Sequence, residues 1–431
     1  MAREWIRRIG VYLGRIRGIG PMELIILKIG KFLEEVGEIE PIKFTKWLFV
    51  GCGGCGSRIV GSLAESKKLK DYAVSYICID SSEYTLSVLP RSVKKFQIGE
   101  PHGFGGNLER SMSFYRDFFR ERGEKYYSFV EEFKRRVKDA NVIFLITSSG
   151  GATGACLIPF IVNIVKKEFK KNIPIIALTI MPFSHENIFI FYNSSVSIPM
   201  ISSSVDTLIA VENASLEKIV GKSDINSINK FIINILEEIC YPKKYPYGKI
   251  LDVSDFAFHK PHSILVPSFI RYPSLIRLLP RENEKELTEY IFKLREHIFK
   301  NTLVRIDEEQ IRSALINFYY TKEIAMKINE MKINKDFLMD MISEAIRKPE
   351  INIFVNFIRP LKKEFGIIIF FETSYNFFFK KLESKLQEIS LKDATRYREI
   401  KYHLDEAKKN ISENSYEDAI NEIEYIKKNL T

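Results

Sequence analysis

Short, largely apolar runs alternate along the chain with longer stretches in which apolar residues recur every three or four positions. KWLFV (46–50), AVSYICI (73–79), NVIFLIT (141–147), IPIIALTIM (173–181) and VDTLIAV (205–211) lack the polar-in-alternation pattern of a half-exposed strand. They read as strands covered on both faces. Helical spacing covers about 108–138, and an apolar helix follows SSGGATG through about Lys170. Buried strands alternating with helices predict a doubly wound α/β domain with a parallel sheet. A long helix is expected from about Ile225 to Cys240, broken by the prolines and glycine of YPKKYPYGK (241–249). Beyond it, strand patterns at SILVPSF (263–269), TLVRI (302–306), INIFVNF (351–357) and FGIIIFF (365–371) enclose helical segments near 284–300 and 334–346. That order predicts an α+β second domain with one layer of helices.

Both ends read as helices. Residues 1–43 set Trp5, Ile6, Ile9, Val11, Leu13 and Ile16 among Arg3, Arg7, Arg8, Arg15 and Arg17. This is either a helix packed on the main body or a basic amphipathic helix for a membrane surface or partner. Near the other end Ser415 and Asp418 resemble a capping box ahead of Tyr416, Ala419, Ile420, Ile423, Ile426 and Leu430. Residues 376–431 are expected either as an outer layer on the second domain or as a docking surface for a membrane adaptor or filament partner.

Composition narrows the class. The 431 residues imply two or three domains, and 45% hydrophobic content supplies full cores. No run of about 18 apolar residues occurs, and MAREWIRRIG lacks an apolar leader core, so a cytoplasmic protein is expected. The net charge of +10 is spread over lysine-rich helices, and no motif points to a specific nucleic acid. The five cysteines include a Cys52-x-x-Cys55 pair, but no second pair or histidine cluster completes a metal site, and none is expected.

The candidate chemistry lies in glycine loops between strands and helices. Gly51-Cys52-Gly53-Gly54-Cys55-Gly56-Ser57 follows the first strand, and Asp80 ends the second. Glycines let a backbone approach phosphates, and the helix start that follows offers free N–H groups. By itself this G-x-G-x-x-G with an acidic residue also fits a Rossmann NAD(P) site. Ser148-Ser149-Gly150-Gly151-Ala152-Thr153-Gly154 repeats the arrangement after another strand, and HGFGGNLE adds Gly105, Gly106 and Asn107. Several such loops suit a nucleoside triphosphate, and the P-loop signature is missing.

These segments resemble, in order, those of the tubulin/FtsZ superfamily of GTPases, from about Lys46 to Ser374. VGCGGCGSRIV is similar to the first loop, ICIDSSEYTL to the second, HGFGGNLE to the third and SSGGATG to the tubulin signature. MPFSHEN resembles the fifth loop, VDTLIAVEN the stretch ending in a base-binding Asn, and ILDVSD the catalytic loop. The resemblance implies bound GTP or GDP with Mg2+, and nucleotide contacts from Gly53, Gly54, Cys55, Gly56, Ser57, Asp80, Gly105, Gly106, Asn107, Ser149, Gly150, Gly151, Ala152, Thr153, Gly154, Glu186, Asn213 and Asn226. It implies catalytic roles for Asp252 and Asp255, which would enter the site of the next subunit in a head-to-tail filament and make hydrolysis depend on assembly. It divides the chain into a helical extension (1–43), a GTPase domain (44–224), the central helix and catalytic loop (225–255), the α+β domain (256–375) and C-terminal helices (376–431). The implied process is cell division or cell shape. The sequence departs from the pattern at Gly151 and Ala152, at Ile190 in place of an arginine, at Ile250, and near Lys222. Those departures describe a divergent branch and keep a non-hydrolysing scaffold, as well as the NAD(P) enzyme, as rival readings.

Overall fold

A computed structural model describes residues 46–240, 263–271, 284–306, 308–319, 335–346, 352–358, 365–375 and 394–430, with a few single positions besides. The expected helices of 1–43, the break at 241–249 and the ILDVSD loop with Asp252 and Asp255 lie outside the described residues.

The first half alternates as the pattern predicts. In order come β1 (Trp47–Cys52), α1 (Gly53–Ala64), β2 (Ala73–Asp80), α2 (Glu83–Ser87), β3 (Lys94–Gln97), α3 (Leu108–Glu121), α4 (Glu124–Lys138) and β4 (Val142–Ser148). Then follow α5 (Ala152–Asn163), β5 (Ile175–Met181), α6 (Ile188–Ser204), β6 (Thr207–Glu212), α7 (Asn213–Val220) and α8 (Ile225–Cys240). The second half holds β7 (Ser263–Arg271), α9 (Glu284–Lys300), β8 (Ile311–Tyr319), α10 (Lys335–Ile346), β9 (Asn352–Ile358), β10 (Phe365–Ser374), α11 (Ala394–Ser412) and α12 (Tyr416–Leu430).

The strands form one sheet in the order β3-β2-β1-β4-β5-β6-β7-β10-β8-β9. From β3 to β6 every pairing is parallel. Side chains along these strands serve two cores by simple alternation. Leu48, Val50, Ile77, Ile79, Ile143 and Leu145 face one, with α3 to α6, α11 and α12. Phe49, Cys78, Phe144 and Ile146 face the other, with α1 and α8. Both faces being covered explains why these strands carry no polar alternation. Central helix α8 ties the halves together: the Trp47 indole N–H donates to the Cys240 carbonyl at 3.0 Å, and Phe231 lies 5.0 Å from Phe269 of β7. In the second half α9 and α10 form one helical layer over β7, β8 and β10.

The structure corrects three expectations. The segment 108–138 is two helices, because Arg122 turns left-handed (φ 54°) and Gly123 starts a new helix. TLVRI (302–306) is not a strand: Leu303 N–H donates to Pro267 and its carbonyl accepts from Glu212, which makes the segment a strut between β6 and β7. The strand in that region is β8, which lies between β9 and β10. The C-terminal helices pack on α6 and α3, in the first half, rather than layering over the second.

Candidate nucleotide-binding site

Where the strand order reverses, between β1 and β4, the following helices leave to opposite faces and open a crevice at the carboxyl edge of the sheet. Both helix starts at this crevice, α1 and α5, lack a side-chain cap. Their first N–H groups therefore have no intrahelical partner and point where an anion would be held.

The glycines here do two different jobs. A Cβ on Gly56 would fall 1.9 Å from the Ile146 carbonyl oxygen, and one on Gly154 would fall 2.2 Å from that of Cys52. These two glycines let α1 and α5 lie directly on the sheet. Gly54 differs: a Cβ there would meet Asp80 Oδ2 at 3.5 Å and Thr85 at 3.8 Å, an ordinary contact inside the crevice. Gly53 is left-handed (φ 73°) and sits against Gly154 N, joining the first loop to the fourth. Gly105 and Gly106 are also left-handed, and nothing approaches a Cβ on Gly105 within 4 Å.

Polar contacts link the loops. The Ser81 and Thr153 hydroxyls are 2.9 Å apart, which fastens the second loop to the fourth. Ser149 Oγ lies 2.8 Å from Ser194 Oγ, and its N–H donates to Ile180 at the end of β5. Asn193 Nδ2 donates both to the Gly106 carbonyl (2.8 Å) and to that of Gly150 (2.9 Å), bridging third and fourth loops. Ala152 accepts from Ser111 Oγ on α3, and Gly151 is the N-cap of α5.

Asp80 is 3% exposed. Its Oδ1 accepts from Ser82 N–H, while among the described residues Oδ2 has no well-formed hydrogen bond. Burial holds its carboxyl above the ordinary aspartate range, with the Ser82 and Ser81 amides and the Ser81 and Thr85 hydroxyls opposing the shift. Two further buried oxygens, Ser57 Oγ and Asn213 Oδ1, also lack partners among the described residues. Ser57 follows the first turn of α1, and Asn213 starts α7 after β6. Three unpartnered oxygens on loops and helix starts at one sheet edge fit a ligand that offers hydrogen-bond donors or a cation.

Other predicted residues have local work. Asn107 caps α3 by accepting from Arg110 N–H at 2.7 Å. Glu186 Oε2 accepts from Phe183 N–H at 2.6 Å and closes its own turn, yet its charge still reaches Cys55. Asn226 is exposed on the first turn of α8, and among the described residues no hydrogen bond joins it to the glycine loops. Ile190 packs over Gly150, where a Cβ would lie 2.1 Å from its Cγ2. The Cys52-x-x-Cys55 pair is not a reactive dithiol. Burial raises both thiols, Cys55 to about 11, and neither is a ready thiolate at neutral pH. Asn193 and Ser194 escaped the sequence reading because they sit on a helix buried all round, with no amphipathic pattern to mark it.

The fold is shared with solved structures of CetZ and FtsZ proteins. Residues 46–221 match the Tubulin/FtsZ family, GTPase domain. The chain is 26% identical over 300 residues to the mitochondrial division protein fszB of Dictyostelium discoideum, covering 67% of this chain and 75% of that protein. It is 26% identical over 226 residues to the tubulin-like protein CetZ of Methanothrix thermoacetophila, covering 48% of this chain and 59% of that one. Among solved structures, the GTPγS-bound CetZ2 protofilament of Haloferax volcanii superposes with a TM-score of 0.60 at 14% identity, over 80% of this chain and 99% of that one, a likeness of fold. The match to the Tubulin/FtsZ GTPase domain covers residues 46–221, and the likeness to the solved structure is one of fold.

Proposed function

We propose that this protein binds GTP, accompanied by Mg2+, in the crevice between β1 and β4, and assembles head to tail into cytoplasmic filaments. The observation that carries the reading is the joining of the first, second and fourth loops around two uncapped helix starts, through Gly53 against Gly154 and Ser81 against Thr153. The amides of α1 and α5 would hold phosphate oxygens. Asp80 would be an unfavourable neighbour for phosphates unless protonated or facing a cation, and a divalent ion offsets its charge. By the resemblance, Glu186 would contact the ribose, and Asn213 and Asn226 the base.

Asp252 and Asp255 would complete the site of the neighbouring subunit and orient the attacking water, so that turnover follows assembly. Head-to-tail contacts are heterologous and do not close, which is why such an arrangement gives filaments. Relatives named for division and as tubulin-like proteins support a role in cell division or cell shape. The C-terminal helices bury their apolar faces in the core, so they are not assigned to a membrane adaptor. A second reading, a scaffold that holds GTP without cleaving it, is favoured by Ile190 over Gly150 in place of an arginine.

Thermal unfolding in the presence of GTP, ATP or NAD tests the ligand. GTP should raise the midpoint most. Protection by NAD alone would replace this reading with the oxidoreductase.

A further inference from the structure

Helix α12 docks on α6 and α3 through Ala419, Ile420, Ile423 and Ile426, each 1% exposed or less. Yet α12 also buries an ion pair, Glu424 with Lys427 at 2.8 Å, their side chains 5% and 13% exposed. Removing two charges from water is expensive, and a pair of apolar residues of the same shape would pack there at least as stably. The pair therefore calls for a reason other than docking.

Its partners supply one. Glu424 Oε1 accepts from Leu108 N–H, in the first turn of α3, at 2.9 Å. Lys427 Nζ donates to the Gly106 carbonyl at 3.1 Å and to Asn193 Oδ1 at 3.0 Å. Asn193 in turn donates to Gly106 and Gly150. The Gly106 carbonyl thus receives two donors, one of them from a residue 321 positions away. On its other side the loop is open around Gly105, and both glycines hold left-handed angles that a free chain leaves readily. The pins from α12 and α6 set the orientation of the Gly106–Asn107 peptide.

We propose that Glu424 and Lys427, acting through Asn193, are positioning residues that set the third and fourth glycine loops for nucleotide and so couple the docking of α12 to occupancy of the crevice. This rests on the nucleotide-binding reading above. Coupling of this kind is reciprocal: whatever factor docking adds to nucleotide affinity, nucleotide adds to docking.

Backbone hydrogen exchange on the full-length protein, with and without saturating GTPγS, tests it. In the wild type GTPγS should slow exchange about tenfold in 103–108 and also across α12. The double variant Glu424→Gln/Lys427→Met keeps the shape and removes the charges, so it escapes the unpaired buried carboxylate that Lys427→Met alone would leave. With its fold checked by circular dichroism, it should exchange faster at 103–108 without nucleotide and bind GTPγS about tenfold more weakly, and α12 should no longer respond to GTPγS. Wild-type affinity and unchanged loop exchange in that variant would overturn the proposal, as would a wild-type α12 indifferent to bound GTPγS. If the wild type does not bind GTPγS at all, the nucleotide reading fails. Exchange at 103–108 in the nucleotide-free double variant then still decides whether the pair positions the loop.

Discussion

The two jobs assigned to the glycines predict opposite outcomes for the same chemical change. In Gly56→Ala the new methyl carbon would sit 1.9 Å from the Ile146 carbonyl oxygen, whereas ordinary contact begins at 3.4 Å. The shortfall is 3.4 minus 1.9, or 1.5 Å, against backbone of a strand paired on both sides. Overpacking of well-packed cores costs about 1–3 kcal/mol where side chains can shift, and a central strand has no side chain to move, so a loss of at least about 3 kcal/mol is expected. For a unit of this size that lowers the melting midpoint by about 6–12 °C, or leaves the protein insoluble. Gly54→Ala meets only ordinary contacts at 3.5 and 3.8 Å. It replaces a helical glycine by alanine, a change that gains up to about 1 kcal/mol. Its midpoint should stay level or rise by up to about 4 °C. The methyl nevertheless occupies the crevice beside Asp80 Oδ2, and GTP affinity should fall at least about tenfold, or 1.4 kcal/mol. Calorimetric melting and titration of both variants provide the assay. A Gly56→Ala protein as stable as wild type would refute the packing argument, and a Gly54→Ala protein with wild-type GTP affinity would refute the placement of phosphate at the first loop.

Asp80→Asn should separate stability from binding. Burial favours the protonated carboxyl, so the stability tied to this group is complete below the ordinary aspartate pKa and is lost as pH rises through the raised folded value. The variant should therefore melt higher than wild type at pH 7 without nucleotide, show a flatter stability profile on the acid side, and bind Mg2+-GTP more weakly; equal melting at pH 7 would contradict this sign. Cys55, raised to about 11 by burial with Glu186 adding to the shift, should be alkylated slowly by iodoacetamide at pH 8, and more slowly still with GTP bound. Rapid labelling unaffected by GTP would mean that the first loop is open and uninvolved. Asp252→Ala and Asp255→Ala should each leave GTP binding within about twofold and suppress turnover; a folded variant that no longer binds GTP would show these carboxylates acting within their own subunit.

Much of the architecture was legible because the strands flanking the site are buried on both faces. An uninterrupted apolar run such as VIFLITS needs no partner information to be read as a strand. What escaped has a physical cause in each case. Strand β3, KKFQ, is a four-residue sheet edge with two lysines and no apolar run. Strand β8 carries Arg312, Ser313 and Asn317, and Ser313 donates to Glu372 of β10, a pairing that local pattern does not contain. Helix α6 has a proline and seven serine or asparagine residues, and several of its serine hydroxyls donate to carbonyls one turn back, which leaves no amphipathic pattern to read. At the site, glycine spacing located the loops but not their division of labour, since Gly56 and Gly54 look alike until the Ile146 carbonyl is placed. The link from Lys427 to Gly106 is a product of tertiary packing alone.

The central claim, that GTP bound at this crevice is used across a subunit boundary, is tested most directly by GTP turnover per subunit against protein concentration with Mg2+ present. A rate near zero in dilute protein that rises above a threshold concentration is the result expected if one subunit's Asp252 and Asp255 complete the next subunit's site. A rate per subunit that stays flat across concentration would contradict it.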